Sequence, residues 1–433
     1  MKDRLDNRFS LEGLLRRRGV TGAAELRRAL GVSPATLSRL VAAAGNRVAR
    51  LGRARAARYA LRHSIRGLEP SVPVFRVGED GTATRVATLL PLESGGTWVE
   101  PNSGQGHLHA GLPPVVSDMA PSGYLGRRFG ELHPELSVPH RLDDWSNGHR
   151  WVAVARRGEE LPGDLVLGTD SMDRWLASRP VRSTPGDFPR LAEASASGAV
   201  GSSAGGEQPK FSAFVRGRHV LVKFSPGDGS EADGRWRDLL ACEALALDTL
   251  RRAGLPTASA RVEDVGRRRF LVVERFDRVG ARGRRGVLTL GFLDDDLFGA
   301  RDSWTAAAAR LLSAGMLAAP DARRVTLLDA FGAAIHNGDR HFHNVAFFAD
   351  GLAERPSLTL APAYDVLPMN LAPRVGHVPP LAGLSAVSPR SAWLEAWPHA
   401  ERLARDFWKR VAADGRISAS FRRAARLLAG TRS

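Results

Sequence analysis

The 433 residues are more than one ordinary hydrophobic core organises, which points to two or three domains. Apolar residues make up 43% and charged residues 25%, the balance of a globular chain, and no apolar run reaches the ~18 residues that a membrane helix needs. The single cysteine, Cys242, excludes an intrachain disulfide and a cysteine-based zinc site. The opening Met1-Lys2-Asp3-Arg4-Leu5-Asp6 lacks the apolar stretch of a signal peptide, so a cytoplasmic location without a membrane partner is expected. The net charge is +16, and it is uneven. Residues 1–66 hold Lys2 and fifteen arginines against Asp3, Asp6, Glu12 and Glu25, a local net of +12. Such concentration predicts a polyanion partner for that segment.

Residues 1–66 read as a winged helix-turn-helix. A first helix is expected near Leu11–Arg18, ending at Gly19. Thr21 is the predicted N-cap of a second helix over Gly22–Leu30. Gly31-Val32-Ser33 makes the turn, and Ser33 caps a third helix that starts at Pro34 and runs to about Ala44. Leu26, Leu30, Val32, Leu37, Leu40 and Val41 recur at helical spacing and form a small core. Thr36, Ser38 and Arg39 then face outward. Val48 to Leu61 alternates around Gly52 like a β-wing carrying Arg53 and Arg55. A helix-turn-helix puts its third helix in the major groove and its wing near phosphates. Thr36, Arg39, Arg53 and Arg55 are therefore the candidate contacts to double-stranded DNA, and a module reading a palindrome would favour a homodimer.

Residues 67–190 look mostly β and irregular. Val72–Val77 and Thr82–Leu90 flank Gly78-Glu79-Asp80-Gly81, a hairpin signal. Gly106–Arg128 is rich in Gly and Pro and reads as ordered but non-repetitive. His107, His109, His133 and His140 lack the spacing of metal ligands. In residues 191–280 a small-residue loop, Ser195–Gly206, precedes Lys210. A strand follows near His219–Phe224, then a helix over Arg235–Ala253 and a strand at Phe270–Glu274. Residues 281–433 are largely helical, broken at 336–370.

That break holds the chemistry. His336-Asn337-Gly338-Asp339-Arg340-His341-Phe342-His343-Asn344 is a polar loop between apolar runs. Such a loop is costly unless its groups are paired or functional. Asp339 could orient and deprotonate an attacking hydroxyl, and Asn344, five residues on, could hold Mg²⁺. Asp365, in Tyr364-Asp365-Val366-Leu367, is a second carboxylate suited to the ion that bridges ATP phosphates. An Asp-x4-Asn followed by another Asp is kinase logic. Upstream, Gly201–Gly206 could offer backbone N–H groups to phosphates. Lys223, between Val222 and Phe224, suits the lysine that contacts α- and β-phosphates, and Glu243 could hold it in place. No Walker motif occurs.

Four motifs together resemble the HipA-like serine/threonine kinases, the toxins of bacterial type II toxin–antitoxin systems. They are Ser202-Ser203-Ala204-Gly205-Gly206-Glu207-Gln208-Pro209-Lys210, Val273-Glu274-Arg275-Phe276-Asp277-Arg278, Asp339-Arg340-His341-Phe342-His343-Asn344 and Tyr364-Asp365-Val366-Leu367. The likeness spans roughly residues 70–430 and is greatest to the YjjJ-like branch, whose DNA-binding module is fused to the kinase. It implies an α+β, bilobal, protein-kinase-like (HipA-like) fold behind the small winged helix-turn-helix. The implied division is 1–66, 67–190 (β-rich), 191–280 (nucleotide-binding lobe) and 281–433 (helical lobe). It implies ATP and Mg²⁺ as cofactors and a protein substrate. Asp339 would be the base, and Asn344 and Asp365 the metal ligands. Ser203, Gly205, Gly206, Lys210, Lys223, Glu274, Phe276 and His341 would bind nucleotide, with Glu274 and Phe276 at the adenine. Ser203, or its neighbour Ser202, would be autophosphorylated. The catalytic loop by itself also fits lipid and small-molecule kinases, and a transcriptional regulator with a degenerate, nucleotide-sensing kinase domain is the other reading.

Overall fold

The computed structural model describes residues 11–52, 57–103, 105–196, 208–374, 376–382 and 384–430. Leu11, Leu14 and Leu15 recur at helical spacing, and residues 11–18 (α1) are helical. β1 (Thr21–Gly22), α2 (Ala23–Leu30), α3 (Pro34–Ala44), β2 (Val48–Leu51) and β3 (Arg58–Leu61) follow, and the three strands form an antiparallel sheet in the order β1-β3-β2. Gly31, at φ +64°, closes α2 in the left-handed region that glycine enters without strain. Ser33 Oγ accepts the Thr36 N–H at 3.2 Å and caps α3 as expected. Leu26, Leu37 and Leu40 are buried, with Leu30, Val32 and Val41 packed against them. Thr21 is not the N-cap of α2. It pairs with Tyr59 across the sheet and its hydroxyl donates to Gly19 O at 3.2 Å, so Gly22 precedes the helix with no side-chain cap. The strand pairing claims the threonine first.

This unit is joined to the next by a shared core. Ala49, Leu51 and Ala60 pack with Leu90, Leu92 and Trp98. Glu93 N–H donates to Leu61 O at 2.9 Å, His63 N–H to Pro91 O at 2.9 Å, and Arg16 Nε to Glu93 Oε1 at 2.6 Å.

β4 (Val72–Val77), β5 (Ala83–Pro91), β6 (Thr97–Pro101), β7 (His107–His109) and β8 (Leu165–Leu167) make an antiparallel sheet in the order β7-β6-β5-β4-β8. Two helices cover it, which the reading of this stretch as β and irregular did not anticipate. α4 (Asn147–Arg157), started by a Ser146–His149 capping box, packs Trp151, Val154 and Ala155 on Val72, Val74 and Leu89. α5 (Thr169–Ala177) packs Met172 and Trp175 on Val77 and Val166 on the opposite face. The stretch 106–128 is not wholly non-repetitive either, since it contains β7 and short helices at Pro114–Ser117 and Gly123–Arg127.

α6 (Phe188–Ala196), β9 (Lys210–Val215), β10 (Arg218–Phe224), α7 (Glu231–Arg252), β11 (Ala260–Val265) and β12 (Arg268–Glu274) build the next unit, with sheet order β11-β12-β10-β9. Period-two alternation sorts β10. Val220, Val222 and Phe224 join Phe188, Phe211 and Phe270 on one face. Lys223 therefore points the other way, where α7 lies with Leu240 and Glu243.

The chain continues through β13 (Arg278–Val279), β14 (Gly283–Arg284), β15 (Val287–Thr289), α8 (Leu290–Leu297), α9 (Trp304–Ser313), α10 (Ala319–Ala334), β16 (Ala346–Phe348), β17 (Thr359–Leu360), α11 (Trp397–Ala413) and α12 (Ala419–Leu428). β15, β16 and β17 form a small sheet in that order, beside a helical core that holds Phe331, Phe347, Phe407 and Trp408. Among the described residues no helix is long and apolar enough to cross a membrane.

Candidate active site

Lys223 is 3% exposed, which an ammonium tolerates only with partners. Its Nζ donates to both Glu243 oxygens, at 2.7 and 2.8 Å, and to Asp365 Oδ1. Burial opposes the charge, but Asp365 and Glu243 outweigh burial and raise Lys223 above its ordinary value. Burial likewise pushes the Asp365 carboxyl up, and Lys223 and Lys210 more than offset it, holding Asp365 below the usual carboxylate range. Lys210 stands opposite Lys223 in the β9–β10 ladder, which places its charge there.

Asp365 adopts φ +56°, the left-handed region that costs a non-glycine residue energy. Its neighbours hold it there. The Asp365 carbonyl accepts Asn337 Nδ2 at 3.4 Å, and Tyr364 Oη donates to His343 O at 2.5 Å. Just upstream, Ala363 exchanges backbone bonds of 2.9 Å with Pro256 and Ala258.

The loop 336–344 leaves α10 through His336 at φ +63°. Asn337, 1% exposed, is its hub and accepts the Asp339 N–H at 3.1 Å. Asn344 Nδ2 donates to the Asp339 carbonyl at 2.8 Å, so the five-residue spacing does bring Asp339 and Asn344 round one turn. Asp339 Oδ1 lies 2.6 Å from His341 Nε2, with both side chains open to solvent. Arg340 turns inward. Its Nε donates to Asp329 Oδ1 at 3.1 Å, and Asp329 Oδ2 also accepts Trp393 Nε1 at 3.0 Å and the Thr305 hydroxyl at 2.9 Å. A Cβ on Gly338 would sit 1.9 Å from Asn370 Oδ1, so the Asn370 side chain would have to shift to admit one.

The structure thus gathers Lys223, Glu243, Asp365, Lys210, Asp339, His341 and Asn344 into one region. Phe276 stands beside it, its ring centroid 5.6 Å from Tyr364 and 6.0 Å from Phe348. Glu274 ends β12, and its carboxylate is occupied by Arg218 at 2.9 Å. Ser202, Ser203, Gly205 and Gly206 lie outside the described residues, as do Arg53 and Arg55. Gln208, next to that loop, is anchored by its Nε2 to Phe224 O at 3.0 Å. On α3 Arg39 is exposed and Thr36 half-buried, and Arg39 Nη2 donates to Thr36 Oγ1 at 3.2 Å.

Sequence reasoning missed the supports. Asn337 and the Arg340–Asp329–Trp393 chain were legible only as polar residues near an apolar run. Asp118 had no local signal at all. From 171 residues away it accepts the Thr289 N–H at 2.7 Å and hydroxyl at 2.6 Å, and the same hydroxyl lies 3.1 Å from His343 Nδ1.

Known proteins resemble this chain over most of its length. A family model described as "YjjJ-like toxin, middle domain" matches residues 68–176, and one described as "HipA-like C-terminal domain" matches residues 202–426. The chain is 36% identical over 422 residues to Toxin YjjJ of Escherichia coli (strain K12), covering 93% of each protein. Its fold is similar to that of HipA from Shewanella oneidensis MR-1, solved in complex with HipB and its operator DNA. That match has a TM-score of 0.51 and 15% identity, and it covers 83% of this chain and 96% of that one. With a bilobal α and β fold and its polar loops placed together, the chain belongs to the HipA-like toxin family, in the YjjJ-like branch.

Proposed function

We propose that this chain is an ATP-dependent serine/threonine protein kinase that modifies a cellular protein and itself, and that residues 1–66 bind double-stranded DNA. The observation that carries the kinase reading is the Lys223–Glu243–Asp365 ion triad, in which Lys223 and Glu243 are buried and Asp365 is partly exposed, set against the Asp339–Asn344 loop. Lys223 is held charged for polyphosphate by Glu243. Asp339 accepts the proton of the acceptor hydroxyl as its oxygen attacks the γ-phosphorus, and ADP leaves. Asn344 Oδ1 and the Asp365 carboxylate would hold Mg²⁺. The Asn344 amide fits that role because Nδ2 is spent on the Asp339 carbonyl, which leaves its oxygen as the donor. No group of three or more His, Cys, Asp or Glu among the described residues could form a protein-only metal cage. That suits a hard ion which shares its oxygens with substrate phosphates. When bound, the ion neutralises charge on the transferring phosphate. Glu274 and Phe276 meet the adenine, Lys210 and His341 the phosphates, to which Gly205 and Gly206 could offer backbone N–H groups. Phosphorylation of Ser203, or of Ser202, adds about −2 charge where ATP phosphates bind and repels nucleotide. The division into 1–66, 67–190, 191–280 and 281–433 belongs to the same reading, as do a cytoplasmic location and a homodimer on DNA.

The decisive experiment compares wild type with Asp339→Asn for incorporation of labelled γ-phosphate into protein. The expected loss is at least about 100-fold, with an unchanged thermal unfolding profile. Undiminished incorporation overturns the assignment. A phosphorylated metabolite with no phosphoprotein would instead favour a small-molecule or lipid acceptor.

A further inference from the structure

A second cluster of charge lies away from the triad, where α5 and the residues after it meet β10 and the β13–β14 hairpin. A pocket of about 60 Å³ opens there, lined by Arg179, Arg278, Arg282, Arg284, His219 and Glu160 among others. His219 precedes Lys223 by four residues on β10, so the pocket lies ~13 Å along the strand from the triad lysine.

The charges on this lining do not balance. Four guanidiniums face one carboxylate, Glu160, which is exposed. The arginines are anchored mostly on carbonyls, which orient them without neutralising them. Arg282 donates to Ser178 O at 3.2 Å and Trp175 O at 3.1 Å, with its guanidinium 3.9 Å from the Trp175 ring centroid. Arg179 donates to Leu176 O at 2.9 Å and Ser178 O at 2.8 Å. Arg278 donates to Leu161 O at 2.7 Å and Glu160 O at 3.2 Å. Among the described residues its one ionic partner, Asp277 at 2.6 Å, is shared with Arg275 at 2.8 Å. Asp164, behind the lining, is paired with Arg76 at 3.2 Å. Arg284 is 3% exposed and donates Nη2 to Glu159 O, but its Nη1 has no hydrogen-bond partner among the described residues. A buried guanidinium with an unspent donor beside an excess of positive charge is costly unless an anion completes it.

We propose that this pocket is a phosphate-binding site separate from the nucleotide site, taking either the free ion or the phosphate group of a phosphorylated serine. Planar guanidiniums held at fixed angles suit a tetrahedral oxyanion, which can accept several charge-assisted bonds at once. The volume admits one such group or a few waters.

The test uses the full chain carrying Asp339→Asn, so no phosphoryl transfer is required and failure leaves the kinase reading untouched. Inorganic phosphate is titrated against sodium chloride of matched ionic strength, with thermal unfolding and calorimetry as readouts. Phosphate should raise the unfolding midpoint saturably, and Arg179→Gln or Arg282→Gln should weaken its binding at least tenfold. Arg179 is exposed, so its variant should fold normally. A midpoint indifferent to phosphate, or an unchanged affinity in both variants, overturns the site. A serine peptide compared with its phosphorylated form separates the sources. Tighter binding of the phosphopeptide than of inorganic phosphate assigns the site to a modified side chain, whereas equal or weaker binding assigns it to the free ion.

Discussion

Glu243 is fully buried, and Lys223 is the group that makes this tolerable. Burial pushes the Glu243 carboxyl up, and Lys223 pulls it back. Lys223→Met should therefore cost about 3–5 kcal/mol in urea unfolding, because it strands a buried carboxylate. Adding Glu243→Leu should recover part of that loss without restoring phosphoryl transfer. Asp277 supplies a pH prediction. Burial pushes its carboxyl up, but Arg275 and Arg278 outweigh burial and hold it well below the usual carboxylate range. A depressed folded value means that its stabilisation is fully present above the ordinary aspartate pKa of about 3.9 and is lost as pH falls below that. Asp277→Asn should lower stability at neutral pH and flatten the acid limb of the unfolding midpoint measured across pH. Lys223 and Asp365 were legible in the sequence because each breaks an apolar run. Glu243 was legible by helix position, but its burial was not, since a mid-helix glutamate is ordinarily solvated.

At the scale of elements, the units are joined by close backbone approaches that sequence reasoning did not identify. A Cβ on Gly283, in β14, would lie 2.0 Å from Glu79 O and 2.7 Å from its carbonyl carbon, in the turn between β4 and β5. Backbone cannot yield as a side-chain end can. Gly283→Ala should cost about 1–3 kcal/mol in unfolding free energy, measured in denaturant. The hairpin at residues 78–81 and the strand of Lys223 were readable from turn residues and alternation. α4 and α5 were missed because the stretch was judged by its glycines, prolines and hairpin signal, although Trp151, Val154 and Ala155 carry helical spacing.

At the scale of the whole molecule, the described part of residues 1–66 is no detachable arm. Their wing strands share a core with Leu90, Leu92 and Trp98. Deleting them would uncover those side chains and confuse a lost DNA contact with a damaged kinase. Surface substitutions separate the two. Arg39→Ala on exposed α3 should weaken binding to duplex DNA, lower the slope of log affinity against log salt by about 1, and leave thermal unfolding unchanged. An unaltered affinity and slope would remove α3 from the interface.

The sequence by itself determined the elements that local rules control. These were the caps and turn of α3, the strand of Lys223, and the polar loop whose Asp339-to-Asn344 spacing one turn can close. It also located the charge, +12 of the net +16 in residues 1–66. Only the tertiary structure decided which residues meet across long stretches of chain. It paired Lys223 with Asp365 from 142 residues away, brought Asp118 to Thr289 and His343, and set four arginines round an unbalanced pocket. The physical reason is range. Periodicity and capping act within a few residues, whereas burying a charge selects partners by distance in space, whatever their separation along the chain.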